Sequence, residues 1–380
     1  MELLRPILGC WAGLPILFVF SLVVFFHELG HFLVARWAGV RVLVFSIGFG
    51  PELFGFFDRR GTRWKISAIP LGGYVKFLGD ENAASVPDQT AVAQMTEAER
   101  RESFIDQPVG KRSAIVVAGP LANFLLAIVI FAGLAAFMGK PSSLPRVDTV
   151  QPGSAAEEAG FKPGDIILSI NGHRIESFSE MQRIVSESAG ERLVIVVQRG
   201  NEEVTLIAVP RLEEVKDAFG NTHRIGILGI GRSVDPNEQR YEPVSPFGAV
   251  VYGVSETWYV IDRTLRYIGR VFTGREAADQ VGGPIRIAEV SCQVFTVGGM
   301  LALLQLTAVL SISIGLLNLF PVPLLDGGHL LFYAIEKVRG RPLSERAQEV
   351  GFRIGLALVV MLMIFATYND ISGIFRRLVS

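Results

Sequence analysis

The chain has 380 residues, half of them apolar, and its 36 basic and 37 acidic side chains leave a formal charge of −1. That balance argues against a nucleic-acid binder, and a mean hydropathy of +0.40 points to a membrane protein carrying a polar middle. Two cysteines, Cys10 and Cys292, are too few for a disulfide framework and form no CxxC zinc pair.

Four segments are long and apolar enough to cross a bilayer, at about 8–35, 113–138, 301–320 and 350–368. The first has only Arg5 before it and no Ala-x-Ala cleavage site, so it reads as a retained span rather than a signal peptide. The expected fold is therefore a polytopic α-helical membrane protein with four transmembrane helices, a membrane-associated β-loop and one extracytoplasmic α/β domain. Its expected divisions are 1–37, 38–112, 113–139, 142–232, 241–298, 299–329, 330–348 and 349–370. The loop 36–112 holds eleven Lys/Arg and the loop after span three adds Lys337, Arg339, Arg341 and Arg346, which places both in the cytoplasm. Arg376 and Arg377 on the outer tail run against this assignment.

Within the first span lies His27-Glu28-Leu29-Gly30-His31. Histidines four apart on a helix project from one face and can bind one metal ion through neutral nitrogens. Glu28 stands beside that face. In soluble metalloproteases such a set uses zinc to bring the pKa of a water to roughly 7 while the glutamate acts as general base. A bare His pair could instead hydrogen-bond across a bundle, but ionisable groups at membrane depth are costly, which favours a functional cluster.

After this span, 41–49 and 62–77 alternate partially and are rich in Val, Ile, Phe and Trp, so they read as β-hairpins joined near Asp58-Arg59-Arg60-Gly61. Gly48, Gly50, Pro51, Gly72 and Gly73 interrupt them. Two readings stand: part of the sheet dips toward the active site, or the whole is a small cytoplasmic subdomain. Residues 81–101 read as a linker or short helix.

From 144 to 211 the pattern turns α/β, with strands expected at 145–150, 166–170, 192–198 and 203–209 and helices at 155–159 and 179–188. Pro152-Gly153-Ser154-Ala155-Ala156, Ala159-Gly160-Phe161-Lys162-Pro163-Gly164-Asp165 and Asn171-Gly172 resemble a bacterial PDZ domain of the circularly permuted kind. Such domains bind extended peptides at a sheet edge; use as a spacer or steric filter is the other reading. Farther on, Trp258, Ile261, Leu265, Ile268 and Phe272 recur at helical spacing with Arg263, Arg266 and Arg270 on other faces. This is an amphipathic helix expected at the outer membrane surface.

A third ligand is still needed, and Asp326 is the best candidate. Four spans run span one and span three in the same direction and deliver Asp326 to the side of His27 and His31; a fifth span near 246–260 would put it opposite. Pro321 and Pro323 end or kink the helix, and Gly327 and Gly328 permit a tight turn. His329 reads as a supporting or structural residue.

His27-Glu28-Leu29-Gly30-His31, together with the segment 318–328 (Asn318-Leu319-Phe320-Pro321-Val322-Pro323-Leu324-Leu325-Asp326-Gly327-Gly328), resembles the site-2 protease family of intramembrane zinc metalloproteases. Residues 45–51, 70–76 and 118–124 are similar to its bacterial RseP-like group, in the single-PDZ form. The resemblance implies Zn2+ held by His27, His31 and Asp326, Glu28 as the catalytic glutamate, and Asn318 and Asn123 near the substrate, with Gly48 and Gly50 in the substrate-facing β-loop. Asn318 could equally cap the broken end of span three, and Asn123 could satisfy backbone freed at Pro120.

The resemblance further implies regulated intramembrane proteolysis in a bacterial inner membrane. The active site would lie toward the cytoplasm, and the substrates would be single-pass proteins such as an anti-sigma factor, pre-cleaved by another protease, or remnant signal peptides. The competing reading from another class is a non-catalytic membrane PDZ scaffold with a structural metal site, which would lack a general base or a third ligand. A zinc transporter would need more intramembrane carboxylates or histidines than the four spans offer.

Overall fold

The computed structural model describes residues 13–80, 94–142, 145–175, 177–216, 222–231, 240–273 and 282–379. Cys10, the start of the expected first span and most of the 81–101 linker lie outside them. The chain forms two compact units, one made of Met1–Leu134 with Val250–Ser380 and the other of Ala135–Ala249.

In the first unit, α1 (Leu14–Trp37) starts with proline in its first turn. It is followed by β1 (Val42–Phe57) and β2 (Arg63–Phe77). The strand β1 runs past the expected end of the first strand because Gly48 and Gly50 take positive φ (87° and 83°), which lets it bulge without breaking. The hairpin folds back on itself, with residues 42–47 facing 73–77 on one side and residues 44–47 facing 63–66 on the other. The turn between its strands is tied to α1, where Arg36 donates to Asp58 and Thr62. A core of Phe32, Phe45, Val75, Phe77, Phe104, Ile115 and neighbours joins the sheet to α1.

The short helix α2 (Glu97–Glu102) starts at a capping box, Thr96 with Glu99. Then α3 (Val109–Met138) carries Pro120 within it. Leu121, Leu125 and Val129 form an exposed apolar stripe on α3 at intervals of four. In water such a stripe would be a liability; facing lipid it is the favourable arrangement.

The second unit begins with β3 (Lys140–Ser142) and β4 (Thr149–Val150) and continues through α4 (Ala155–Ala159), β5 (Ile166–Ile170), β6 (His173–Arg174), α5 (Phe178–Glu187), β7 (Leu193–Arg199) and β8 (Glu202–Ala208). Its sheet has the order β6-β5-β7-β8. Alternation along β7 turns Leu193, Ile195 and Val197 inward onto Ile167, Ile170 and Met181. Two further hairpin strands, β9 (Arg211–Lys216) and β10 (Thr222–Ile227), and the short β11 (Ile230–Gly231) and β12 (Arg240–Glu242) complete it.

Asp165 is nearly fully buried and accepts from Arg199 Nε and a second guanidinium nitrogen at 2.8 Å each and from Lys162 N–H at 2.9 Å. Burial works against its ionisation, but Arg199 and the Lys162 amide together hold its carboxyl below the usual range. A depressed carboxyl stabilises the fold above the unfolded pKa, near 4, and that stability is lost as the pH falls through the lower folded value. The protection factors of the β5 and β7 amides in the full chain, corrected for the intrinsic exchange rate at each pH, should therefore fall on acidification below about pH 4. Arg199→Ala should destabilise this unit at neutral pH by about 1–3 kcal/mol and flatten that acid response.

The chain continues into α6 (Pro246–Phe272), α7 (Pro284–Asn318), α8 (Asp326–Arg339) and α9 (Glu345–Val379). Helix α6 packs on α3, where Gly253 lies against the backbone of Ile128 and Ala132, and Val260 and Ile261 join the cluster of Phe131, Ala308 and Ile312. Gly299 (φ 65°, ψ −155°) breaks α7 into two helices. The N-terminus of α7 is closed by Asp370 of α9, whose carboxylate accepts from the backbone N–H groups of Gly283, Ile285 and Arg286 at 2.8–3.1 Å. Among the described residues four helical stretches, Leu14–Trp37, Val109–Met138, Pro284–Asn318 and Arg346–Phe375, are long and apolar enough to cross a membrane.

Candidate metal centre

The site is built where α1, α3 and the turn into α8 meet. Gly30 of α1 packs against the carbonyl of Ala118 so closely that a Cβ there would collide with it. This contact brings the two helices together one residue from His31. The next small residue on α3, Gly119, leaves room for the His31 ring, whose Nε2 occupies the place a methyl group would take. His31 Nδ1 donates to the Ile115 carbonyl at 2.9 Å, which fixes its tautomer and leaves Nε2 with a free lone pair.

Asp326 reaches the same place because α7 stops at Asn318 and the chain reverses through Pro321 and Pro323. Leu324 carries a positive φ of 93°, a conformation costing about 1–3 kcal/mol in a non-glycine residue and found most often at functional sites. Gly327 and Gly328 then lie directly on the backbone of residues 319–323, where no side chain fits. Asp326 opens the next helix.

Three donor atoms converge. His27 Nε2 and His31 Nε2 lie 3.2 Å apart, and Asp326 Oδ2 is 3.2 Å from the first and 3.5 Å from the second. Zinc with bonds of about 2.0–2.1 Å in a tetrahedron needs ligand atoms about 3.3 Å apart, so these separations are those of one tetrahedral face. Asp326 Oδ2 is buried and accepts no hydrogen bond from the described residues. Such an oxygen is costly unless a cation takes its charge, and two imidazoles with one carboxylate are a hydrolytic zinc donor set with the fourth position open. The residues fit the metal. Among the described residues they are the one group of three or more His, Cys, Asp or Glu side chains so converged.

The open side faces a cavity of about 390 Å³ lined by His27, Glu28, His31 and Asp326, with Phe49, Gly72, Gly73 and Tyr74 from the hairpin and Asn318 from the end of α7. Glu28 therefore shares a cavity with the three donors without joining their set. His329 lines this cavity too and sits among the rings of Tyr333 and Phe352.

The remaining expected residues fall elsewhere. Asn123 is fully buried and its amide faces His27, with Nδ2 3.2 Å from Nδ1. Gly48 and Gly50 do not line the cavity; Gly48 shapes the strand bulge against the carbonyls of Ser67 and Ile69. Gly30, Gly119 and the Ile115 carbonyl were not singled out by the sequence reading, although small residues at helix contacts are its general signature in membranes.

The profile of Peptidase family M50 matches residues 15–362. An Agrobacterium fabrum protein named "Putative zinc metalloprotease" is 52% identical over 360 residues, covering 95% of each chain. A Rhizobium meliloti protein of the same designation is 50% identical, over 94% of this chain and 96% of its own. Metalloprotease MmpA of Caulobacter vibrioides is 42% identical over 378 residues, 94% of each. The convergent histidine and aspartate donors, the glutamate beside them and the four apolar helices agree with these matches, and the chain belongs to peptidase family M50, the site-2 protease family of multi-pass membrane zinc metalloproteases.

Proposed function

We propose that this protein cuts peptide bonds within or near the transmembrane segments of single-pass proteins, as a step of regulated intramembrane proteolysis. The observation that carries this reading is the convergence of His27, His31 and Asp326 in one cavity with Glu28, the two histidines and the glutamate lying on a helix long and apolar enough to cross a membrane. A scaffold with a structural metal has no use for a carboxylate held beside the donors but outside their set. Zinc, when bound there, supplies a Lewis acid that polarises a carbonyl and acidifies water. Glu28 takes a proton from the attacking water onto its carboxylate and returns it to the departing amine nitrogen.

A transmembrane helix shields its peptide bonds, so the substrate has to be unwound before it reacts. Residues 73–75 line the cavity and pair with 45–47 on one side, which suits their other edge to hold an extended segment by strand addition. Asn318, at the cavity wall, supplies an amide for a freed backbone group. In this reading the second unit is the single PDZ domain, extracytoplasmic and acting as a size filter, and the Lys/Arg content of the loops 36–112 and 330–348 supports an active site toward the cytoplasm of a bacterial inner membrane. The substrates are single-pass proteins of the anti-sigma-factor type whose outer domain another protease has removed, and remnant signal peptides.

The test is cleavage in liposomes of a tagged single-pass protein with and without its outer domain, with and without a chelator. Only the shortened form should be cut, and chelation should stop it. Equal cleavage of both forms would remove the size filter; cleavage that survives chelation would remove the metalloprotease reading.

A further inference from the structure

The ladder between α1 and α3 assigns a role to Asn123. On α1 the histidines are four apart; on α3 Gly119 and Asn123 are four apart, and the helices are in register so that Gly119 meets His31 and Asn123 meets His27. Asn123 is held there from its far side. Its backbone carbonyl accepts from Ser311 Oγ at 2.9 Å, and Gly315 of α7 packs so closely that a Cβ would stand 3.2 Å from the Asn123 Cβ. The side chain then reaches His27, with Nδ2 3.2 Å from its Nδ1.

The chemistry of the donor set then decides which end of the amide does the work. As donors to one metal ion with Asp326 Oδ2, both Nε2 atoms would offer a lone pair, and each neutral ring would then carry its proton on Nδ1. For His31 the Ile115 carbonyl accepts that proton. For His27 the atom 3.2 Å from Nδ1 is Asn123 Nδ2, itself a donor, while Asn123 Oδ1 is buried with no hydrogen-bond partner among the described residues. The two ends of an amide have the same shape, and a half-turn about its terminal bond exchanges them. We propose that Asn123 is a positioning residue: its Oδ1 accepts from His27 Nδ1–H and so holds His27 Nε2 unprotonated and aimed at the point shared with His31 Nε2 and Asp326 Oδ2. This rests on the metal reading of those three residues. It goes beyond that reading by making a residue of the second span, outside the donor set, a determinant of zinc affinity.

The experiment is zinc affinity by competition with a chelating dye, on the full chain in detergent, for the native protein, Asn123→Leu and Asn123→Asp. Imidazole 15N spectra of the metal-free forms accompany it. Removing such a partner typically weakens metal binding 10–100-fold, and Asn123→Leu should fall in that range, with His27 shifting toward the Nε2–H tautomer. Asn123→Asp keeps an accepting oxygen and should bind zinc close to the native level with the native tautomer. If Asn123→Leu binds as tightly as the native chain, or if Asn123→Asp loses zinc as fully as Asn123→Leu, the assignment is overturned; the second result would mean that the amide donates. The aspartate variant also decides the matter if the leucine variant does not fold. A native chain that binds no zinc would overturn the metal reading itself, and this assignment with it.

Discussion

Glu28→Gln is expected to keep its zinc and its fold while losing cleavage by about 10²–10⁴-fold, the usual contribution of a positioned general base. Glutamine has nearly the same size and leaves the cavity wall intact, but its amide cannot take a proton from water. Zinc should stay because the converging donors are His27, His31 and Asp326, and Glu28 is not one of them. Metal analysis and cleavage of one tagged substrate, made on the same preparation, separate the two roles. Cleavage near the native rate would give the proton transfer to another group, and loss of zinc would make Glu28 a ligand.

Gly119→Ala should lower zinc affinity at least about tenfold without altering any ligand. The new methyl group would land on His31 Nε2, and the ring cannot slide away because Nδ1 is tied to Ile115. Nor can α3 retreat without opening the close contact between Gly30 and Ala118. The ring must turn and take its lone pair off the shared point, at an overpacking cost of about 1–3 kcal/mol. Gly133→Ala on the same helix is the control. Among the described residues nothing lies within 4 Å of a methyl group added there, so it should leave zinc binding unchanged and, through helix propensity, stabilise slightly. Equal zinc affinity in native and Gly119→Ala protein, measured by dye competition, would show that the ring has room the structure does not give it.

The metal centre was legible in the sequence to the extent that it rests on local rules. The spacing of His27 and His31 is a helix property, and Asp326 follows from counting spans, because span parity decides on which side a residue emerges. The turn that carries Asp326 was also visible, since Pro321, Pro323, Gly327 and Gly328 leave the backbone few other paths. The surroundings of the ligands were not legible in this way. That Asn123 faces His27 depends on the register between two helices, to which the sequence offers only the small residues Gly30 and Gly119 as clues. Asp370 caps a helix that begins more than eighty residues earlier, a pairing no local pattern contains. In the hairpin, Gly48, Gly50 and Pro51 look like interruptions, yet they lie within one bent strand because its bulges absorb them. In the second unit, where strands alternate cleanly over a small core, β5, β7 and β8 lie within a residue of their expected bounds.

The most direct test of the whole account is zinc bound per chain, with its ligands identified by zinc K-edge X-ray absorption, for the native protein and Asp326→Ala. One zinc per native chain, with two imidazole nitrogens and a carboxylate oxygen and markedly weakened binding in Asp326→Ala, is the predicted result. A native chain without zinc, or one that binds it unchanged after Asp326 is removed, would contradict the account.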